Sequence, residues 1–371
     1  MTFEPARLVL ARRWAGYSAS ALAKALGVST QSVHNYEASR QSPSPSTLAQ
    51  MSQVLGFPRA FFSMPPVDAV SYEQVSFRAR TKMTAKARDH ALGAADLAVS
   101  LRLHLEGKYP RLPSVDVPTP EGGVAPEVAA EYVRARWGLD AQSPAPNMVH
   151  LLESKGVAVF AVPSAHSSLD AFAFWRNERP YVLLSTNKSA ERSRFDAAHE
   201  LGHLVLHSSI DVAGPDVERE ANAFASAFLM PSRGVRRRIR PNSSTEEILT
   251  EKKYWKVAAM ALTYRLHALQ LLSDWSYRNN ILALGRQGYR SGEPAGMEHE
   301  RSLLFAKVFL GQSGARNFKE AVAATNLTPG VIGQLTFDVR PTLAAKRLEP
   351  TSAHRDENAV AYAALRVVRG S

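Results

Sequence analysis

The chain has 371 residues, 45% of them hydrophobic, with 45 basic against 34 acidic side chains and a formal charge of +11. That size suffices for two or three globular domains, and the positive balance favours a polyanionic partner such as nucleic acid. There is no cysteine, which excludes disulfides and thiolate metal ligands and fits a reducing cytoplasm; no leader pattern opens the chain and no apolar run reaches the length of a membrane span, so no membrane partner is expected.

Residues 1–66 are predicted to form an all-α domain. Leu8, Val9, Leu10 and Trp14 mark a first short helix. Ala21, Leu22, Ala25 and Leu26 fall at helical spacing after Tyr17-Ser18 and mark a second, which Gly27 stops. Ser29 or Thr30 can cap a third, over about Gln31 to Ala38, with Val33 and Tyr36 facing in. Pro43 and Pro45 break the chain, a fourth helix runs from Ser46 through Leu55, and Phe57, Phe61 and Phe62 close the core. Helix, glycine turn and helix make a DNA-binding helix-turn-helix arrangement; the bland alternative is the same fold kept as a protein-binding module. The run from Ala21 to Glu37 (ALAKALGVSTQSVHNYE) closely resembles the XRE, or lambda-repressor-like, family. The resemblance implies double-stranded DNA as partner. It places the start of the third helix in the major groove, with Ser29, Thr30, Gln31, Ser32, His34 and Asn35 facing the bases. Gln31 and Asn35 carry the amides that pair with adenine edges, Arg40 is placed to meet a phosphate, and Glu37 supports the fold. Such domains bind two-fold sites as dimers, so a homodimer is expected.

Residues 67–126 read as a connecting helix and linker. Val75 to Lys82 is basic and extended and reads as a solvated strap rather than a phosphate-contacting arm. Thr84 to Lys108 reads as one long helix whose apolar side can pack on the next domain or form a dimer seam. Pro110 to Pro126 has no periodicity, and a domain boundary is expected there.

Residues 127–272 are predicted to form the second domain. Helices are expected over Glu127–Trp137, stopped at Gly138, and over Asn147–Ser154, stopped at Gly156. Val157–Val162 reads as a buried strand, and Ala171–Trp175 with Tyr181–Leu184 as a hairpin. The segment Phe195 to His207 then contains His199-Glu200-x-x-His203. On a helix two residues four apart share a face, so two imidazoles can hold one Zn²⁺ while Glu200 acts as base on a metal-bound water. A third protein ligand is needed. His207 lies too far along the same helix and reads as a structural or second-shell histidine. The next helix, Pro215 to Met230, offers Glu218, one turn from Asn222, with Glu220 as the alternative.

The stretch Arg192 to His207, followed by Glu218, Asn222 and the run to Pro231, resembles the ImmA/IrrE family of metallo-endopeptidases. The resemblance implies a gluzincin-like domain with a small β-sheet, with His199, His203 and Glu218 as zinc ligands and Glu200 as catalytic base. It also implies cleavage of a repressor protein, and in such enzymes an edge strand can pair with an extended substrate.

Beyond the site, Arg233, Arg236, Arg237, Arg238 and Arg240 form a basic run, read mainly as a solvated helix end and alternatively as a contact for DNA or an acidic substrate. Lys252 to Leu272 is expected to be helical with Trp255, Leu262 and Leu266 inward, and Gly285 to Gly296 a loop. Residues 273–371 are predicted to be mostly helical, a sensor or dimerisation region, with helices at Leu303–Phe309, Phe318–Thr325 and after Asn326, and a strand or helix over Val360–Val368. The fold class is therefore α+β, mostly helical. The expected function is a cytoplasmic DNA-binding transcription regulator whose zinc endopeptidase domain cleaves a repressor under stress. The alternative is a regulator whose metal domain senses a ligand or metal without proteolysis.

Overall fold

The computed structural model describes residues 2–67, 69–71, 75–77, 84–120, 123–162, 171–207, 214–294 and 296–341. The first helices are α1 (Pro5–Trp14), α2 (Ala19–Leu26), α3 (Thr30–Glu37) and α4 (Pro45–Leu55). Serine hydroxyls open three of them: Ser18, Ser29 and Ser44 accept from the backbone N–H of Ala21, Ser32 and Thr47. Gly27 and Gly56 end α2 and α4 in left-handed conformation, at φ 64° and 74°. Pro45, expected to break the chain, instead opens α4 at a position where no N–H is needed. Leu8, Leu22, Val33, Met51, Phe61 and Phe62 are fully buried between these helices.

Val75–Phe77 forms β1 and Ala85–Lys108 forms α5; the rest of the basic strap lies outside the described residues. The apolar side of α5 is covered within the chain, by α1 near its start and by the sheet and the C-terminal region further on. At Gly93 an added Cβ would lie 2.6 Å from the backbone nitrogen of Trp14, so the two helices touch backbone to side-chainless backbone. One turn earlier, the ring Nδ1 of His90 lies 2.6 Å from the Trp14 carbonyl.

Next come α6 (Pro126–Arg136), α7 (Met148–Ser154), β2 (Ala158–Val162), β3 (Ala171–Arg176) and β4 (Arg179–Ser185), followed by α8 (Ala190–Leu206) and α9 (Pro215–Leu229). The sheet order is β1-β3-β4-β2. β3 and β4 form the expected hairpin, turned by Asn177 and Glu178 at positive φ of 48° and 59°. β2 joins parallel to β4 and is buried along its length, while β1 lies antiparallel to β3. Among the described strands β1 and β2 are the outermost, and β2 is packed by α5, α7 and a C-terminal helix. One face of β3 and β4 carries α8.

After α10 (Ser232–Arg238) the expected helix over Lys252–Leu272 is two helices, α11 (Thr245–Trp255) and α12 (Ala259–Ala268). Lys256 takes a left-handed conformation, φ 55°, and its N–H bonds back to Lys252, which ends α11. The helix α13 (Asp274–Arg286) runs two residues into the expected loop. The region then continues with α14 (Leu303–Leu310), α15 (Gly314–Thr325) and α16 (Pro329–Leu335). These fold back on the sheet domain: α14 meets α7 and sets Phe305 against Phe160 of β2, ring centroids 5.3 Å apart, α15 meets α5, and α16 meets β2. The expected element over Val360–Val368 lies outside the described residues. The fold is α+β and mostly helical, and no described helix is long and apolar enough to cross a membrane.

Candidate metal centre

Every residue of the helix α8 from Asp196 to Val205 is buried. Ala197, Ala198, Leu201, Leu204 and Val205 are buried against the sheet and α9, and this packing turns His199, Glu200 and His203 away from water, at 0%, 1% and 4% exposure. Helices α8 and α9 approach closely at Gly202, where a Cβ would come within 3.1 Å of the Phe224 ring and 3.3 Å of the Ala221 Cα. That contact brings the first turns of α9 over the histidines.

Three side chains converge. His199 Nε2 and His203 Nε2 are 3.0 Å apart, and the Glu218 carboxylate oxygens lie 3.4 Å from the first and 3.5 Å from the second. One ligand atom from each lies within 4.8 Å of the others. Zinc bonds of about 2.0–2.1 Å in a tetrahedron put ligand atoms about 3.3 Å apart, so the donor set and its spacing fit one such ion. Burial pushes the Glu218 carboxyl up, but hydrogen bonds and charge from His199 and His203 outweigh it and hold the group far below the ordinary carboxylate value.

Each histidine has an outer partner. His199 Nδ1 is 3.0 Å from Asn222 Oδ1, the residue one turn after Glu218. His203 Nδ1 is 3.2 Å from His207 Nδ1, and His207 Nε2 is 2.9 Å from Glu220 Oε2. Glu220, the alternative third ligand, is therefore engaged with His207, while Glu218 faces the two ring Nε2 atoms. Burial lowers the His207 pKa below its ordinary value, against the upward pull of Glu220. The His203–His207 spacing of four residues was the sequence signal for the first of these contacts; the pairing with Glu220 depends on the helix crossing and had none.

None of the seven candidate DNA-contacting residues is buried. Ser29, Thr30, Gln31, His34 and Arg40 are exposed, and Ser32 and Asn35 are half-buried. Gln31 donates from Nε2 to Asn35 Oδ1 at 3.0 Å, so the two amides are already aligned along α3. Ser29 Oγ is committed to capping, accepting the Ser32 N–H at 3.0 Å, and lies 2.8 Å from Ser32 Oγ. Glu37 pairs with Arg12, 2.5 Å from its Nε and 3.2 Å from its Nη2, which ties α3 to α1.

In the basic run, Arg236 donates to the Leu269 carbonyl, Arg237 to Gln142 and Arg238 to Glu251, with Arg238 also 3.7 Å over the Tyr254 ring. Three of those five arginines fasten α10 to its neighbours.

Residues 152–267 match the family model of the IrrE N-terminal-like domain, within the M78 peptidases, and residues 6–61 match that of a helix-turn-helix domain. No curated protein matches the chain. The first match runs from α7 to α12 and contains the converging histidines and Glu218; the second covers α1 to α4. The chain joins an XRE-like helix-turn-helix domain to an IrrE/ImmA-like domain of the M78 peptidase family.

Proposed function

We propose that the chain is a cytoplasmic transcription regulator that binds operator DNA as a homodimer and carries a zinc-dependent endopeptidase, which cleaves a repressor protein in response to stress. The observation that carries the reading is the convergence of His199, His203 and Glu218 from two helices at tetrahedral spacing beside a buried Glu200. Those three residues would hold the zinc. Bound there, the ion supplies a Lewis acid for the scissile carbonyl and lowers the pKa of water. Glu200 takes the attacking water's proton on a carboxylate oxygen and returns it to the leaving amine. Asn222 orients the His199 imidazole.

In the DNA-binding half, Gln31 and Asn35 read base edges and Arg40 contacts phosphate. The exposed face of α3, backed by the Arg12–Glu37 pair, supports this assignment.

The test compares the zinc-loaded wild type with Glu200→Gln. Each is incubated with the protein extract of stressed cells, and new protein N-termini are mapped. The expected result is one new terminus within a repressor, made by the wild type and absent with Glu200→Gln. If neither protein makes a cut and Glu200→Gln regulates its genes as well as the wild type, the metal domain is a sensor and the peptidase reading fails.

A further inference from the structure

Glu220 and His207 stand outside the ligand set, yet their contacts determine which face His203 can offer a metal. We propose that His207 and Glu220 form an outer chain that holds His203 with its Nε2 lone pair turned to the metal, and that both are positioning residues for the centre. This rests on the zinc reading above.

A carboxylate only accepts hydrogen bonds, so the 2.9 Å contact between Glu220 Oε2 and His207 Nε2 requires the proton to sit on His207 Nε2. The neutral ring then keeps a lone pair on Nδ1. That atom is 3.2 Å from His203 Nδ1, so His203 Nδ1 carries the hydrogen and donates it. His203 Nε2 is left with a lone pair, and it points at His199 Nε2 and Glu218, 3.0 and 3.5 Å away. Reversing any one proton in the chain would place a hydrogen on Nε2 and close the ring to a metal. His199 reaches the same state in one step, because its Nδ1 donates to the Asn222 amide oxygen at 3.0 Å.

The chain also has a mechanical role. His207 is the residue that ends α8, with its N–H bonded to the His203 carbonyl at 3.0 Å, and its ring is 6% exposed. Glu220 belongs to α9. Their contact therefore ties the end of the helix that supplies two ligands to the start of the helix that supplies the third. Outer partners of this kind are worth about 10–100-fold in metal affinity.

The experiment measures zinc affinity by competition with a chromogenic chelator, using the full chain as wild type, His207→Leu, His207→Gln and Glu220→Gln. Thermal unfolding of the metal-free proteins checks that each folds. His207→Leu should weaken zinc binding about 10–100-fold. His207→Gln should restore most of it, because its amide oxygen accepts from His203 Nδ1 and its NH₂ donates to Glu220. Glu220→Gln should fall between. Long-range ¹⁵N–¹H spectra of the zinc-loaded wild type should show the His203 proton on Nδ1. The proposal is overturned if His207→Leu binds zinc as tightly as the wild type, if His207→Gln is as weak as His207→Leu, or if the His203 proton is on Nε2. A folded wild type that takes up no zinc would instead remove the metal reading on which the proposal stands.

Discussion

Glu153 ends up beneath the first turn of α14, joining the peptidase domain to the C-terminal region. Its Oε2 accepts the backbone N–H of Leu303 and of Leu304, each at 3.0 Å, and its Oε1 accepts the Ser302 hydroxyl. Burial raises its pKa from the ordinary 4.5 to about 7, against the opposing pull of those three donors and of the Arg102 charge. A carboxyl raised in this way keeps its proton in the folded chain at pH values where the unfolded chain has released it. The stability this brings is full below about pH 4.5 and is lost as pH rises through about 7. A rise from 4.5 to about 7, at about 1.4 kcal/mol for each tenfold, amounts to about 3 kcal/mol. Glu153→Gln copies the protonated acid: its amide oxygen accepts from Leu303 and Leu304, and its NH₂ donates to Ser302. Urea unfolding should find the variant within about 1 kcal/mol of the wild type at pH 5 and about 3 kcal/mol more stable than it at pH 8. The reasoning is refuted if the difference between variant and wild type is the same at both pH values.

Three further outcomes are expected. Gly93→Ala places a Cβ 2.6 Å from the Trp14 backbone, so α1 must shift on α5; a loss of about 1–3 kcal/mol should appear in thermal unfolding. Gly202→Ala meets the Phe224 ring at 3.1 Å and the Ala221 backbone at 3.3 Å, and should weaken zinc binding by moving Glu218 while the helix-turn-helix half still binds DNA. In anisotropy titrations on selected duplexes, Gln31→Ala should cost about 1–3 kcal/mol and relax base preference, whereas Arg40→Ala should weaken all DNA alike and lower the salt slope by about 1.

The elements that carry function were legible because each has a local signature. Ser18, Ser29 and Ser44 cap their helices and Gly27 and Gly56 end theirs, so the helix-turn-helix is written in caps as well as apolar spacing. His199, Glu200 and His203 lie within one turn of one helix, and Glu218 is one turn from Asn222 on the next. Other features depend on distant partners or on weak local preference. β1 lies in a segment read as extended, but its pairing depends on β3, far along the chain, where Phe174 stands opposite Val75. The break at Lys256 uses a residue with no preference for the left-handed conformation that it adopts. Helix α13 buries only Asn280 and Leu284, too few for a periodic stripe. The basic run looked alike along its length, but its roles were set by Leu269, Gln142 and Glu251, which other segments supply.

The zinc centre proposed at His199, His203 and Glu218 is open to direct test. The direct measurement is the metal content of the purified chain by mass spectrometry, wild type against His199→Ala, after equal exposure to zinc. About one zinc per chain is expected in the wild type and a loss of it in the variant, both proteins remaining folded. A folded wild type that takes up no zinc, or a variant that holds as much as the wild type, would contradict it.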